Sequence, residues 1–82
     1  MNSHQLSKER QRAAKQIGSF EERIAELEDW KRRIEEALSA PIPGDDVVKL
    51  AHDYERAQGE LAKTIEEWEQ AISYAEGIGA AV

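Results

Sequence analysis

Side chains able to do chemistry are abundant in this 82-residue chain, but their spacing assembles no catalytic pattern. His4 and His52 are far apart, and neither has a second His or a Cys at ligand spacing. A metal site is therefore not expected. The chain has no cysteine, so it has neither a thiolate ligand nor a disulfide. That usage fits a reducing cytosol. Glutamates are plentiful, yet a carboxylate pair needs a concave, desolvating pocket to drive its pKa values apart. No phosphate-cradling glycine loop and no nucleophile–base constellation is present. The expectation is a non-catalytic chain with no cofactor or metal of its own.

The remaining chemistry is electrostatic. Lys8, Arg10, Arg12 and Lys15 face one acid, Glu9, in the first sixteen residues, and Lys31-Arg32-Arg33 forms a second basic run. Basic side chains on one helix face can contact phosphates. The bland reading is a solvated coiled-coil surface whose helices attract each other across flanking positions. The net charge of -6 opposes nucleic-acid affinity, and it is carried by residues 40–82, because residues 1–39 hold eight basic and eight acidic side chains. Trp30, Trp68 and Tyr74 could stack on bases. Trp68 falls on an apolar seam and reads as core, whereas Trp30 sits one step off it and reads as a cover for the flank.

The elements that must position these groups are two helices. Pro41, Pro43 and Gly44 interrupt the middle of the chain, where a helix cannot continue. Asp45 or Asp46 can cap the helix that follows. Ser7 reads as the start of the first helix, and Gly77 and Gly79 as the stop of the second. The bounds are helix over 7–39, loop over 40–45, helix over 46–77 and a frayed tail over 78–82.

In the first helix Leu6, Arg10, Ala13, Ile17, Phe20, Ile24, Leu27, Lys31, Ile34 and Leu38 recur in alternating steps of four and three. In the second, Val47, Ala51, Tyr54, Gln58, Leu61, Ile65, Trp68, Ile72, Ala75 and Gly79 do the same. Such a period is the a/d seam of a coiled coil. A short loop makes the helices antiparallel neighbours. The fold class is therefore all-α, an antiparallel two-helix coiled-coil hairpin. Seam partners should sum to about 85, which pairs Ile17 with Trp68, Leu27 with Gln58 and Lys31 with Tyr54. The rod should be ~45–50 Å long at 1.5 Å per residue. No run of ~18 apolar residues exists to span a membrane.

Leu6-Ser7-Lys8-Glu9-Arg10-Gln11-Arg12 and Glu21-Glu22-Arg23-Ile24-Ala25-Glu26-Leu27-Glu28, followed by Leu38-Ser39-Ala40-Pro41 and a late Glu66-Glu67-Trp68-Glu69, form a recognisable order. The chain resembles the C-terminal coiled-coil domain of ABC-F ATPases of the Uup type. The resemblance covers nearly the whole chain, although the Leu that usually closes the Trp-Glu motif is absent. It implies a cytoplasmic accessory hairpin that contacts DNA or ribosomal RNA, or that positions the ATPase. ATP and Mg would be bound only by the parent's nucleotide-binding domains in cis. It also implies that Lys8, Arg10, Arg12, Lys15, Lys31, Arg32 and Arg33 are the nucleic-acid contacts.

Two other readings compete. One is a structural or assembly module with protein partners only, monomeric or weakly dimeric, since hairpins can pair into four-helix bundles. Its second apolar stripe is thin: Trp30, Val48, Leu50 and a few alanines. The other is a small helical enzyme subunit such as that of exonuclease VII, which Ser19 to Glu28 superficially resembles. The Pro41-Ile42-Pro43-Gly44 loop in place of that family's Gly-x-Leu turn argues against it.

Overall fold

The fold follows from where the backbone finds its caps. In the computed structural model, which describes residues 2–80, helix α1 runs over Ser3–Ser39 and helix α2 over Val47–Gly77. Helix α1 therefore begins four residues before Ser7. Asn2 is its N-cap: the Asn2 side chain accepts from the Gln5 backbone N–H at 2.8 Å, and the Asn2 N–H donates to Gln5 Oε1 at 3.4 Å. Two otherwise orphaned donors are satisfied by this reciprocal pair. His4 consequently lies in the first helical turn.

At the loop, Asp45 accepts from the Ile42 N–H at 2.9 Å and Asp46 accepts from the Lys49 N–H at 3.0 Å. The first bond folds the two-proline turn back on itself. The second caps α2. The hairpin is a rod of 62 × 14 × 13 Å, longer than the seam alone suggested because α1 has 37 residues.

The seam of α1 is as its period predicts: Ala13, Ile17, Leu27 and Ile34 are buried. The seam of α2 is turned by one position. Ala57, Ala71 and Ala75 are its buried residues, while Val47, Ala51 and Gln58 are exposed. Tyr54, Leu61, Trp68 and Ala75 keep their places, Ile65 and Ile72 stay half-buried beside the seam, and Leu50, Ala57, Thr64, Ala71 and Ile78 take the alternate positions. The physical reason is the partner surface. Ala57 is fully buried, and it can approach α1 where the larger, polar Gln58 cannot. Towards the open end Ala13, Ile17, Ala71 and Ala75 form one cluster, with Phe20, Trp68, Ile72, Ile78 and Ala80 packed against it. Trp68 is therefore a packing residue, and its indole Nε1 is buried without an acceptor among the described residues.

The end of α2 is a second correction. Residues 78–80 are not a frayed tail. The Gly79 N–H donates to the Glu76 carbonyl at 3.1 Å and the Ala80 N–H to the Ala75 carbonyl at 2.8 Å, with Gly79 at φ 73°. This is the Schellman arrangement, which satisfies the last carbonyls and brings Ala80 back over Ala75. Ala81 and Val82 lie outside the described residues.

Gly59 stands in the helical interior of α2, and no atom lies within 4 Å of where its Cβ would be. Nothing inside the hairpin demands a glycine there. Gly59→Ala is expected to raise stability by about 0.5–1 kcal/mol, read as a higher urea midpoint with an unchanged slope. A lower midpoint would show an internal constraint on this position.

Candidate functional site

The seven basic side chains singled out in the sequence do not form one surface. Lys8, Arg12 and Lys15 recur at steps of four and three, so they share one face of α1 at the open end. Together with Gln11 they line a shallow, open depression. Lys31, Arg32 and Arg33 lie near the loop, about 30 Å away at 1.5 Å per residue. The two groups could contact only separate parts of a long ligand.

Arg10 is turned elsewhere. Its Nε donates to the Ile78 carbonyl at 2.7 Å, and its guanidinium lies over Gly79. A charged seam position is thereby explained: the cation closes the C-terminal end of α2, where the helix dipole favours positive charge.

Next to it, the Tyr74 hydroxyl donates to Glu9 Oε2 at 3.1 Å, and Arg12 Nη1 donates to Glu9 Oε1 at 3.1 Å. The Glu9 carboxylate thus ties the two helices together and steadies Arg12, whose side chain is still 78% exposed. The hydrogen bond to Glu9, and then the negative charge of that carboxylate, hold the Tyr74 phenol above its ordinary pKa. Lys8 and Lys15 form no ion pair among the described residues.

The basic run near the loop is largely occupied within the hairpin. Arg32 and Arg33 both pair with Asp29, the second at 3.0 Å. The hydrogen bond from Arg32 keeps the Asp29 carboxyl below its usual pKa. Lys31 reaches Glu35 at 4.0 Å and lies 5.7 Å from the centre of the Tyr54 ring. That contact matches the sequence pairing of Lys31 with Tyr54, with the cation over the ring face. Trp30 is half-buried under Arg56, whose guanidinium is 5.7 Å from the ring centre. Its face is therefore already occupied, and Tyr74 is the more exposed aromatic, at 50%.

A scan of protein-family models, a search of curated proteins and a search of solved structures each found no match for this chain. The geometry therefore carries the functional argument. Among the described residues there is no group of three or more metal-ligating side chains, and no helix is long and apolar enough to cross a membrane.

Val48, which the sequence places in the outer apolar stripe, is exposed, whereas the exposure of Val47 beside it was missed. Val47 and Val48 are 47% and 68% exposed, and Ile42 is 68% exposed. Val47 had been placed in the seam. Asp46 at the N-cap was the available signal: it starts α2 at Val47, and the first residue of a helix beside a turn has little of the partner helix to pack on.

Proposed function

We propose that the hairpin is a non-catalytic accessory arm of a cytoplasmic ABC-F type ATPase, and that it contacts nucleic acid through the open end of α1. The observation that carries this reading is the exposed row Lys8, Arg12 and Lys15 on one helix face, two of them with no ion pair among the described residues. The order of the Leu-Ser-Lys-Glu start, proline loop and late Trp-Glu supports the family. Arg10, Lys31, Arg32 and Arg33 are held by groups of the hairpin itself. The proposal therefore rests on the other three cations. ATP and Mg would belong to cassettes outside these 82 residues, and the arm would act by reach and charge.

A row of three cations on an otherwise acidic rod gives weak, salt-sensitive, sequence-independent binding. Each phosphate contact contributes about 0.9 to the slope of log K against log salt on duplex DNA. The triple variant Lys8→Gln, Arg12→Gln, Lys15→Gln is expected to flatten that slope by about 2.7. Fluorescent duplex DNA and a structured RNA, titrated with the chain between low and moderate salt, measure it. No binding at the lowest salt, or a slope that the triple variant leaves unchanged, would sink the proposal.

A further inference from the structure

The other end of the rod carries a surface that nucleic-acid contact does not use. Val47, Val48, Ala51, His52 and Glu55 line a shallow depression on the first turns of α2. Single exposed apolar side chains are ordinary on protein surfaces, but contiguous ones mark contacts. These valines are also poor choices for their place. β-Branched residues lose side-chain freedom in a helix, and Val48, 68% exposed, gains little packing in return.

Gly59 extends the same face, although Gly18 and Gly77 are equally open. It lies four residues beyond Glu55, on the same helix face. The hairpin itself gives it no neighbour within 4 Å of a Cβ. A glycine without an internal purpose leaves the backbone open to close approach from outside, and Ala62 continues this low surface one turn further.

Charge selects the occupant. Residues 45–62 hold Asp45, Asp46, Asp53, Glu55 and Glu60 against Lys49 and Arg56, and Arg56 lies over the Trp30 ring. Lys49 is engaged with Asp53 at 3.2 Å. Pairing this tip with itself in a second copy would bring those carboxylates together. A polyanion is repelled by the same charges.

We infer that the loop-proximal face of α2, anchored on Val47 and Val48 and continued past Gly59, docks a basic amphipathic helix of a partner protein. The partner's apolar side chains cover the valines, and its lysines or arginines meet Glu55 and the loop aspartates. This interface lies at the opposite end of the hairpin from Lys8, Arg12 and Lys15, so either can fail without the other.

The test titrates the whole chain with a synthetic 18-residue leucine–lysine amphipathic peptide and, in parallel, with its leucine–glutamate counterpart. Backbone amide shifts report the site. The leucine–lysine peptide should move residues 47–62 first, and the leucine–glutamate peptide should move none. Val47→Ser/Val48→Ser keeps the charge and removes the anchor, and it should raise Kd at least tenfold with helicity unchanged. Gly59→Leu, at a site with open space around it, should raise Kd as well. The inference is overturned by equal response to both peptides, by shifts centred on Glu66 and Glu69, or by a Kd that the double variant leaves unchanged. Absence of binding also overturns it, as does a concentration-dependent dimer that Val47→Ser/Val48→Ser abolishes.

Discussion

Leu27→Ala is expected to destabilise the hairpin by about 2–5 kcal/mol. Leu27 is 1% exposed and is the largest fully buried side chain. The ion pair of Arg23 with Glu60 and the contact of Lys31 with Tyr54 bracket its level on α2. Between them, Leu27 stands opposite Ala57, which is fully buried. A large side chain meets a small one, and truncating the large one leaves alanine facing alanine. Two helices joined at one end have no third element to collapse into the gap.

The loss would be a large share of the whole. A chain of this size is stable by about 4–12 kcal/mol at 0.05–0.15 kcal/mol per residue. Thermal unfolding should show a fall of at least 8 °C, since each kcal/mol moves Tm by about 4–8 °C in domains of this size. A change under 1 kcal/mol would mean that the middle of the rod is not its stability centre.

Leu27 was legible from the sequence as a seam residue, but its partner was not. The two possible phases of α2 share Tyr54, Leu61, Trp68 and Ala75 and differ by one residue at every alternate position. An apolar Val47 favoured the wrong phase. Gln58 in the seam argued for the other, in which Ala57 and Ile78 are apolar where the first has Gln58 and Gly79. Local pattern could not decide, because both phases place apolar residues near the axis. The choice depends on which side chain lets the helices approach. The break between the helices, in contrast, was readable to within a residue, since Pro41 and Pro43 remove helical hydrogen bonds whatever packs around them.

The candidate site was legible in composition and not in geometry. The sequence shows seven candidate cations among the eight basic residues of the first helix; it does not show that Asp29 binds two of them or that Arg10 turns to the carbonyl of Ile78. Asp29 was within reach as a signal, three and four residues before Arg32 and Arg33, which is the spacing of helical ion pairs. Arg10 was not, because its acceptor lies at the far end of the chain and exists only once the open end has closed.

Gly79→Ala is expected to cost about 1–2 kcal/mol, the price of placing an L side chain in the left-handed region. The same substitution at Gly59 should stabilise, so the two glycines separate backbone conformation from simple helix propensity. At Gly79 φ is 73°, and an added Cβ would lie 3.1 Å from a guanidinium nitrogen of Arg10. The arginine is flexible and can yield, so the strain falls mainly on the backbone. The chain can relieve it by abandoning the Schellman turn, which frees the Ala75 and Glu76 carbonyls and withdraws Ala80 from the open-end cluster. Amide exchange should then rise at Gly79 and Ala80 while the amides around Leu27 keep their protection relative to the global stability. Arg10 would lose its acceptor in the same event, although Glu9 would still bridge Arg12 and Tyr74. Exchange that rises equally along both helices would instead show that the open end unfolds only with the whole rod. In that case the cations of α1 would be presented by a surface as rigid as its middle.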